Sequence, residues 1–322
     1  MKTFKVLELR DNPKLIRKAK KLASQGKSLN LTLDVVFKAL FAGPSGDSHE
    51  ALRSLLSACI KRPVRNLVVR NNEIGPEDLT GKTVNLDIHA AFNDGEEADI
   101  EMQAGIRDDD VKIRAVVYGS RMLSGQAKRG KQYREVKRVY QIFFVNGILF
   151  SNSEKVPRRY SVREETEYDQ LSDVMEIIFY ELPKLDGYVA RYREGKEALK
   201  TLPLEVKWGI YLGYQGKEGV AGMIKELSRG EEGIMSAERE LGRMSRDAEQ
   251  WARALFREKA AMDYRSGMGN ARDRGREEGI KLGLEQAHRE KLESARKLRE
   301  IGLSSTQIQE TLGLSLAEIR KL

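Results

Sequence analysis

The stretch Val139–Val145 does most to limit what this chain can fold into. It reads Val-Tyr-Gln-Ile-Phe-Phe-Val, and because successive side chains point to opposite faces of a strand, it is apolar on both. Such a strand sits inside a sheet covered on both sides. The segment therefore predicts a sheet flanked by helices.

The flanking sequence supplies those partners. Across 31–62, Asp34, Val35, Val36, Phe37, Leu40 and Phe41 recur near helical spacing. A Gly43-Pro-Ser-Gly46 break follows, and Leu52, Leu55, Leu56, Cys59 and Ile60 resume the helix until Pro63. Strands are expected over 83–92 and 97–103, separated by Asn93-Asp-Gly-Glu96, where Asp-Gly marks a hairpin. Residues 108–124 read as a helix with an acidic start, as the positive end of its dipole prefers. A second α+β stretch covers 160–227, its strand Glu176–Tyr180 leading into Glu181-Leu-Pro-Lys184.

From about residue 236 the sequence is long, charged and helical, with Gly275, Gly279 and Gly283 on one face. Arg276, Glu277 and Glu278 between them rule out lipid, so a close soluble helix contact is expected. The tail carries two capping boxes, Ser304 with Gln307 and Ser315 with Glu318, and Gly313 at a turn. That is the spacing of a helix-turn-helix, although only Arg320 and Lys321 stand on its last helix to meet bases. Four segments result: a basic leader 1–30, a core 31–158, its α+β continuation 159–235, and a helical region 236–322.

Composition narrows the chemistry. The chain has 322 residues, one cysteine and three histidines. Cys59 alone rules out a disulfide framework or thiolate zinc site, and His49, His89 and His288 are too scattered for a zinc cluster. The most apolar run, 142–150, is short of the roughly 18 residues a membrane helix needs, and no apolar segment follows the N-terminal lysines as a secretory signal requires. A cytoplasmic protein with no membrane partner is expected. The net charge of +8 leans toward a polyanion, and it is uneven: +7 over 1–30, −5 over 31–106, +6 over 107–140, −3 over 141–237 and +3 over 238–322.

The acidic block holds the candidate site. In the first hairpin strand, Val84, Leu86, Ile88 and Ala90 fall on one face and Asn85, Asp87 and His89 on the other; in the second, Ala98, Ile100 and Met102 oppose Asp99, Glu101 and Gln103. If the apolar faces coincide, Asp87 stands on the side of Glu101 and Gln103. That parity requires an odd loop of three or five residues, or a bulge. Two carboxylates converging on one side repel unless a cation sits between them, and hard oxygen ligands suit Mg²⁺ or Mn²⁺. Helix 108–124 projects Arg114 and Tyr118 from one face, with Arg121 nearby, where an arginine can clamp a phosphate. Acid at the centre and base around it suits a metal site that cuts a polyanion.

These residues resemble a known family. Asp34-x-x-Phe37-Lys38-x-x-Phe41, Lys82-x-x-x-x-Asp87, Ile100-Glu101-Met102-Gln103, Arg114-x-x-x-Tyr118, Gly130-x-x-Tyr133 and Glu181-Leu-Pro-Lys184 follow the order of the Rpn-type recombination-promoting nucleases and transposases. These belong to the PD-(D/E)XK superfamily, and the resemblance runs from about residue 30 to 320. It implies an α/β (α+β), restriction-endonuclease-like core with a mixed sheet flanked by helices and a long helical C-terminal extension. It also implies a Mg²⁺-dependent DNA endonuclease. Carried over by position, Asp87 and Glu101 are the metal-binding acids, the Met102 carbonyl completes their set, and Gln103 stands where the superfamily name places a Lys. Gln can hydrogen-bond the attacking water but brings no charge. Asp34 matches the N-terminal acid; Arg114, Tyr118, Lys82 and Arg121 are the candidate phosphate-binding residues. DNA and a second copy of the chain are the expected partners.

Two other readings fit the same sequence. A fold retained only for DNA binding would hold DNA in a salt-dependent way without cutting. A self-association protein built on the 236–322 helices would lose assembly on truncation after about residue 235.

Overall fold

A computed structural model describes residues 12–74, 84–105, 111–130 and 132–322. Lys82 and the acidic start of the helix expected over 108–124 lie outside these. Two compact units form, 1–258 and 259–322.

The strands of the first unit are β1 (Val68–Val69), β2 (Glu73–Ile74), β3 (Val84–Asn85), β4 (Ile88–Phe92), β5 (Glu96–Gln103), β6 (Val139–Val145), β7 (Arg158–Tyr160) and β8 (Met175–Glu181). Six of them make a mixed sheet in the order β1-β4-β5-β6-β8-β7, and β2 pairs with β3. β5, β6 and β8 run parallel, while β1, β4 and β7 are antiparallel to their neighbours. The helices of this unit are α1 (Pro13–Ser24), α2 (Asp34–Phe41), α3 (Gly46–Ile60), α4 (Val111–Ser124), α5 (Asp186–Arg193), α6 (Leu204–Tyr214), α7 (Ala221–Gly230) and α8 (Glu232–Ser245). α9 (Ala248–Glu300), α10 (Ser305–Leu312) and α11 (Leu316–Arg320) follow.

β6 is buried along its whole length, as its two apolar faces predict. Tyr140, Ile142 and Phe144 join the main core with Ile88, Ala90, Ile100, Ile178, Tyr180 and the inward faces of α2, α3, α6 and α8. Phe144 stacks on Tyr180 with ring centroids 4.7 Å apart, and Phe41 packs on Trp208. Phe143 and Val145 face the other way, against Val111 and Ala115 of α4 and Ile177 and Phe179 of β8. α4, the crossover between parallel strands β5 and β6, thereby caps this second face. The close approach of α8 to α3 depends on Gly233, where a Cβ would overlap Ser54.

The hairpin keeps the register that parity demands. Ile88 pairs with Ile100 and Ala90 with Ala98, leaving a three-residue loop, 93–95, with Gly95 at φ 101°. One expectation fails. The strand expected over 83–92 breaks at Leu86 and Asp87, and Leu86 leaves the face of Ile88 and Ala90 to pack with Met122 and Val139 beneath α4. Its backbone N–H donates to the Asn72 carbonyl at 2.8 Å, so residues before the break pair with the β2 region instead of continuing β4. Among the described residues nothing lies within 4 Å of a Cβ at Gly275, Gly279 or Gly283, so that stripe is open in the single chain.

In the second unit, Ala295, Ile308, Leu314 and Ile319 form a small core. Both capping boxes are present, and Gly313 ends α10 in the left-handed conformation at φ 66°. With so little buried area, a cap is a large share of this unit's stability. Ser315→Ala is expected to cost about 1 kcal/mol. Amide exchange in α11, followed on the full chain, should accelerate roughly fivefold.

Candidate active site

The break in the strand before β4 creates the site. Asp87 lies opposite Glu101 by continuation of the β4–β5 register, and their side chains replace the missing ladder bonds. The Asp87 N–H donates to Glu101 Oε1 at 2.8 Å, and the Met102 N–H donates to Asp87 Oδ2 at 3.0 Å. Gln103, at the end of β5, donates from Nε2 to Glu101 Oε2 at 3.1 Å. Lys38 reaches in from α2, its Nζ 2.8 Å from Asp87 Oδ1. Arg114 of α4 lies on the other side, with Nη2 3.8 Å from Glu101 Oε2 and its guanidinium over the rings of Tyr118 and Phe143.

This is a buried polar face, not a solvated one. Glu101 is 3% exposed and Asp99, next along the same face of β5, is 0% exposed. Among the described residues neither oxygen of Asp99 has a hydrogen-bond partner, and Nε and Nη2 of Arg114 are also buried without an acceptor. Burial, with the adjacent Asp87 charge, pushes the Glu101 carboxyl up to about 8. Asp99 is raised well above the ordinary range by burial and by the charges of Glu101 and Asp87. Asp87 is raised by burial, against the pull of Lys38. For Lys38 burial is the largest single influence and acts downward, but Asp87, Glu101 and Asp34 together leave its ammonium above the ordinary value. Burial and Glu101 likewise raise the Tyr118 hydroxyl, which keeps its proton as a donor.

The structure thus brings together Asp87, Glu101, Gln103, Arg114 and Tyr118. Arg121 is half-buried further along α4. Asp34 is differently engaged: Arg257 holds its carboxylate through two hydrogen bonds of 2.8 and 2.6 Å. His89 is tied to the Asn71 carbonyl and to Glu97. Lys38 and Asp99 are additions to the candidate set. Lys38 stands one turn after Asp34 in α2, and Asp99 two residues before Glu101 on one strand face, so both had a signal in spacing.

Among the described residues no group of three or more His, Cys, Asp or Glu side chains forms a ready metal shell, and no helix is long and apolar enough to cross a membrane. No curated protein and no solved structure matches the chain. The family model of the PD-(D/E)XK nuclease family transposases matches residues 31–271, the span that holds the whole sheet, the broken strand and all three acids on it. The chain belongs to that family.

Proposed function

We propose that this protein is a divalent-metal-dependent DNA endonuclease working in transposition or recombination. The observation that carries this reading is the excess of buried carboxylate where β4 and β5 meet: Asp87, Glu101 and the unpartnered Asp99, faced by two cations, Lys38 and Arg114. Uncompensated buried charge is costly, and a divalent cation relieves it. Mg²⁺ is commonly held by one or two carboxylates and keeps several waters, which suits a site without a three-acid shell.

Asp87, Glu101 and the Met102 carbonyl would hold the ion; Mg²⁺ or Mn²⁺ there supplies Lewis-acid activation of water and of the scissile phosphate. The chain's own groups supply the rest. Gln103 spends its Nε2 on Glu101 and keeps its Oε1 to accept a hydrogen bond from the attacking water. Lys38 provides near Asp87 the positive charge that Gln103 lacks. Arg114, with unspent donors, and Tyr118, a protonated hydroxyl, meet the phosphate oxygens as negative charge builds on them. Water adds to phosphorus and gives up a proton to solvent, the P–O3′ bond breaks, and the leaving 3′ oxygen takes a proton to become a hydroxyl.

Supercoiled plasmid incubated with the full chain tests the reading. Conversion to the nicked form is expected with Mg²⁺ or Mn²⁺ and not with EDTA; cutting that persists in EDTA rules out the metal, and absence of cutting with either ion rules out the nuclease.

A further inference from the structure

The Glu181-Leu-Pro-Lys184 motif takes no part in the chemistry above, yet it builds one of the most tightly held points of the fold. Glu181 ends β8 in register with Val145, itself in register with Gln103, so it lies at the same end of the sheet as Gln103. Its carboxylate and the Lys184 ammonium, 2.5 Å apart, have side chains 1% and 3% exposed. Both are spent on one loop. Glu181 Oε1 accepts from the N–H groups of Leu149 and Phe150, while Lys184 donates to the carbonyls of Phe150 and Ser153 at 2.6 and 2.5 Å. Phe150 is therefore gripped at both its N–H and its C=O.

Its ring carries two cations. Lys112 Nζ lies 4.6 Å and the Arg158 guanidinium 4.5 Å from the ring centroid, and Tyr160 and Phe179 pack against the same ring. Among the described residues neither cation has a carboxylate partner. A cleft of about 730 Å³ at the opposite end of the strands also carries cations, and two of them, Arg62 and Arg138, are paired with Glu96 and Asp173. Cation–π contact holds a cation in place without spending its charge or its donors. Two such cations on a fixed ring are a ready binding point for phosphate oxygens, at low ordering cost.

We infer that Lys112 and Arg158, held on the Phe150 ring, form a phosphate clamp that grips the DNA backbone beyond the scissile phosphate, and that Glu181 and Lys184 are positioning residues for it. Lys112 and Arg114 both stand on α4, so one helix carries a residue of each contact. The inference rests on the reading of the protein as one that acts on DNA.

Its test is the salt dependence of binding to a labelled DNA duplex, measured on the full chain in EDTA so that no cutting occurs. Each lost phosphate contact lowers the slope of log affinity against log salt by about 1. Lys112→Gln/Arg158→Gln is expected to lower it by about 2 and to weaken binding. Phe150→Leu, which keeps an apolar side chain but removes the ring, should weaken binding with both charges present. Lys217→Gln, which removes a cation held over the Tyr214 ring elsewhere, should leave the slope unchanged. A double variant with the wild-type slope, an equal loss in Lys217→Gln, or a wild type that does not bind DNA overturns the clamp. Failure of the nuclease reading looks different: the wild type binds with the full slope, the double variant loses it, and no metal produces cutting.

Discussion

Asp87→Asn and Glu101→Gln are each expected to lower the rate of plasmid nicking by a hundredfold to a thousandfold. Each removes a charged oxygen donor from the proposed metal position, a contact worth several kcal/mol of transition-state stabilisation, and about 1.4 kcal/mol is tenfold in rate. Glu101→Gln should have the opposite effect on the metal-free protein, whose thermal midpoint is expected to rise at neutral pH. Glu101 is pushed up to about 8 in the fold, above the ordinary 4.5 or so of the unfolded chain. A carboxyl raised by folding contributes stability that is full below the unfolded value and lost as pH rises through the folded one. The metal-free wild type should therefore melt progressively lower between about pH 5 and pH 8. Glu101→Gln should flatten that dependence, and saturating Mg²⁺ should reduce it in the wild type. Loss of nicking with an unchanged pH–melting profile would assign Glu101 to catalysis but not to a buried, charge-crowded position.

Lys184→Met is expected to destabilise the protein by about 3–5 kcal/mol, the cost of breaking a buried ion pair by removing one partner. The Glu181 carboxylate would stay buried with only the Leu149 and Phe150 N–H groups, and the carbonyls of Phe150 and Ser153 would lose their donor. An apolar pair, Glu181→Leu/Lys184→Met, should recover little of this, because it strands the same backbone groups in a site closed to water. Urea unfolding midpoints at pH 7 measure both. A cost near that of a surface pair, about 0–1 kcal/mol, would show that the loop is held by its rings and not by the motif.

The features legible in the sequence were those with a short period. Alternation in β5 and the two-faced apolar run of β6 placed the strands, and parity around Asn93-Asp-Gly brought Asp87 to Glu101. Alternation does not say whether a polar strand face is wetted or roofed by a helix. The burial of Asp99 and Glu101 under α4 was therefore not legible, and their raised proton affinity follows from that burial. The displacement of Leu86 depends on the competing pairing between β2 and β3. The capture of Asp34 by Arg257 joins residues 223 positions apart, which no local pattern reports.

The loop 93–95 gives the hairpin a heritable constraint. Surface turns ordinarily absorb insertions and deletions, and this one lies about 20 Å along the strand from Asp87, at roughly 3.4 Å per residue. Its odd length nevertheless decides which way every side chain of the returning strand faces. Lengthening the turn by two residues would keep the acids together, while adding one residue without a compensating bulge would reverse the strand and separate them. The spacing between the hairpin strands is thus constrained as a parity rather than as a length.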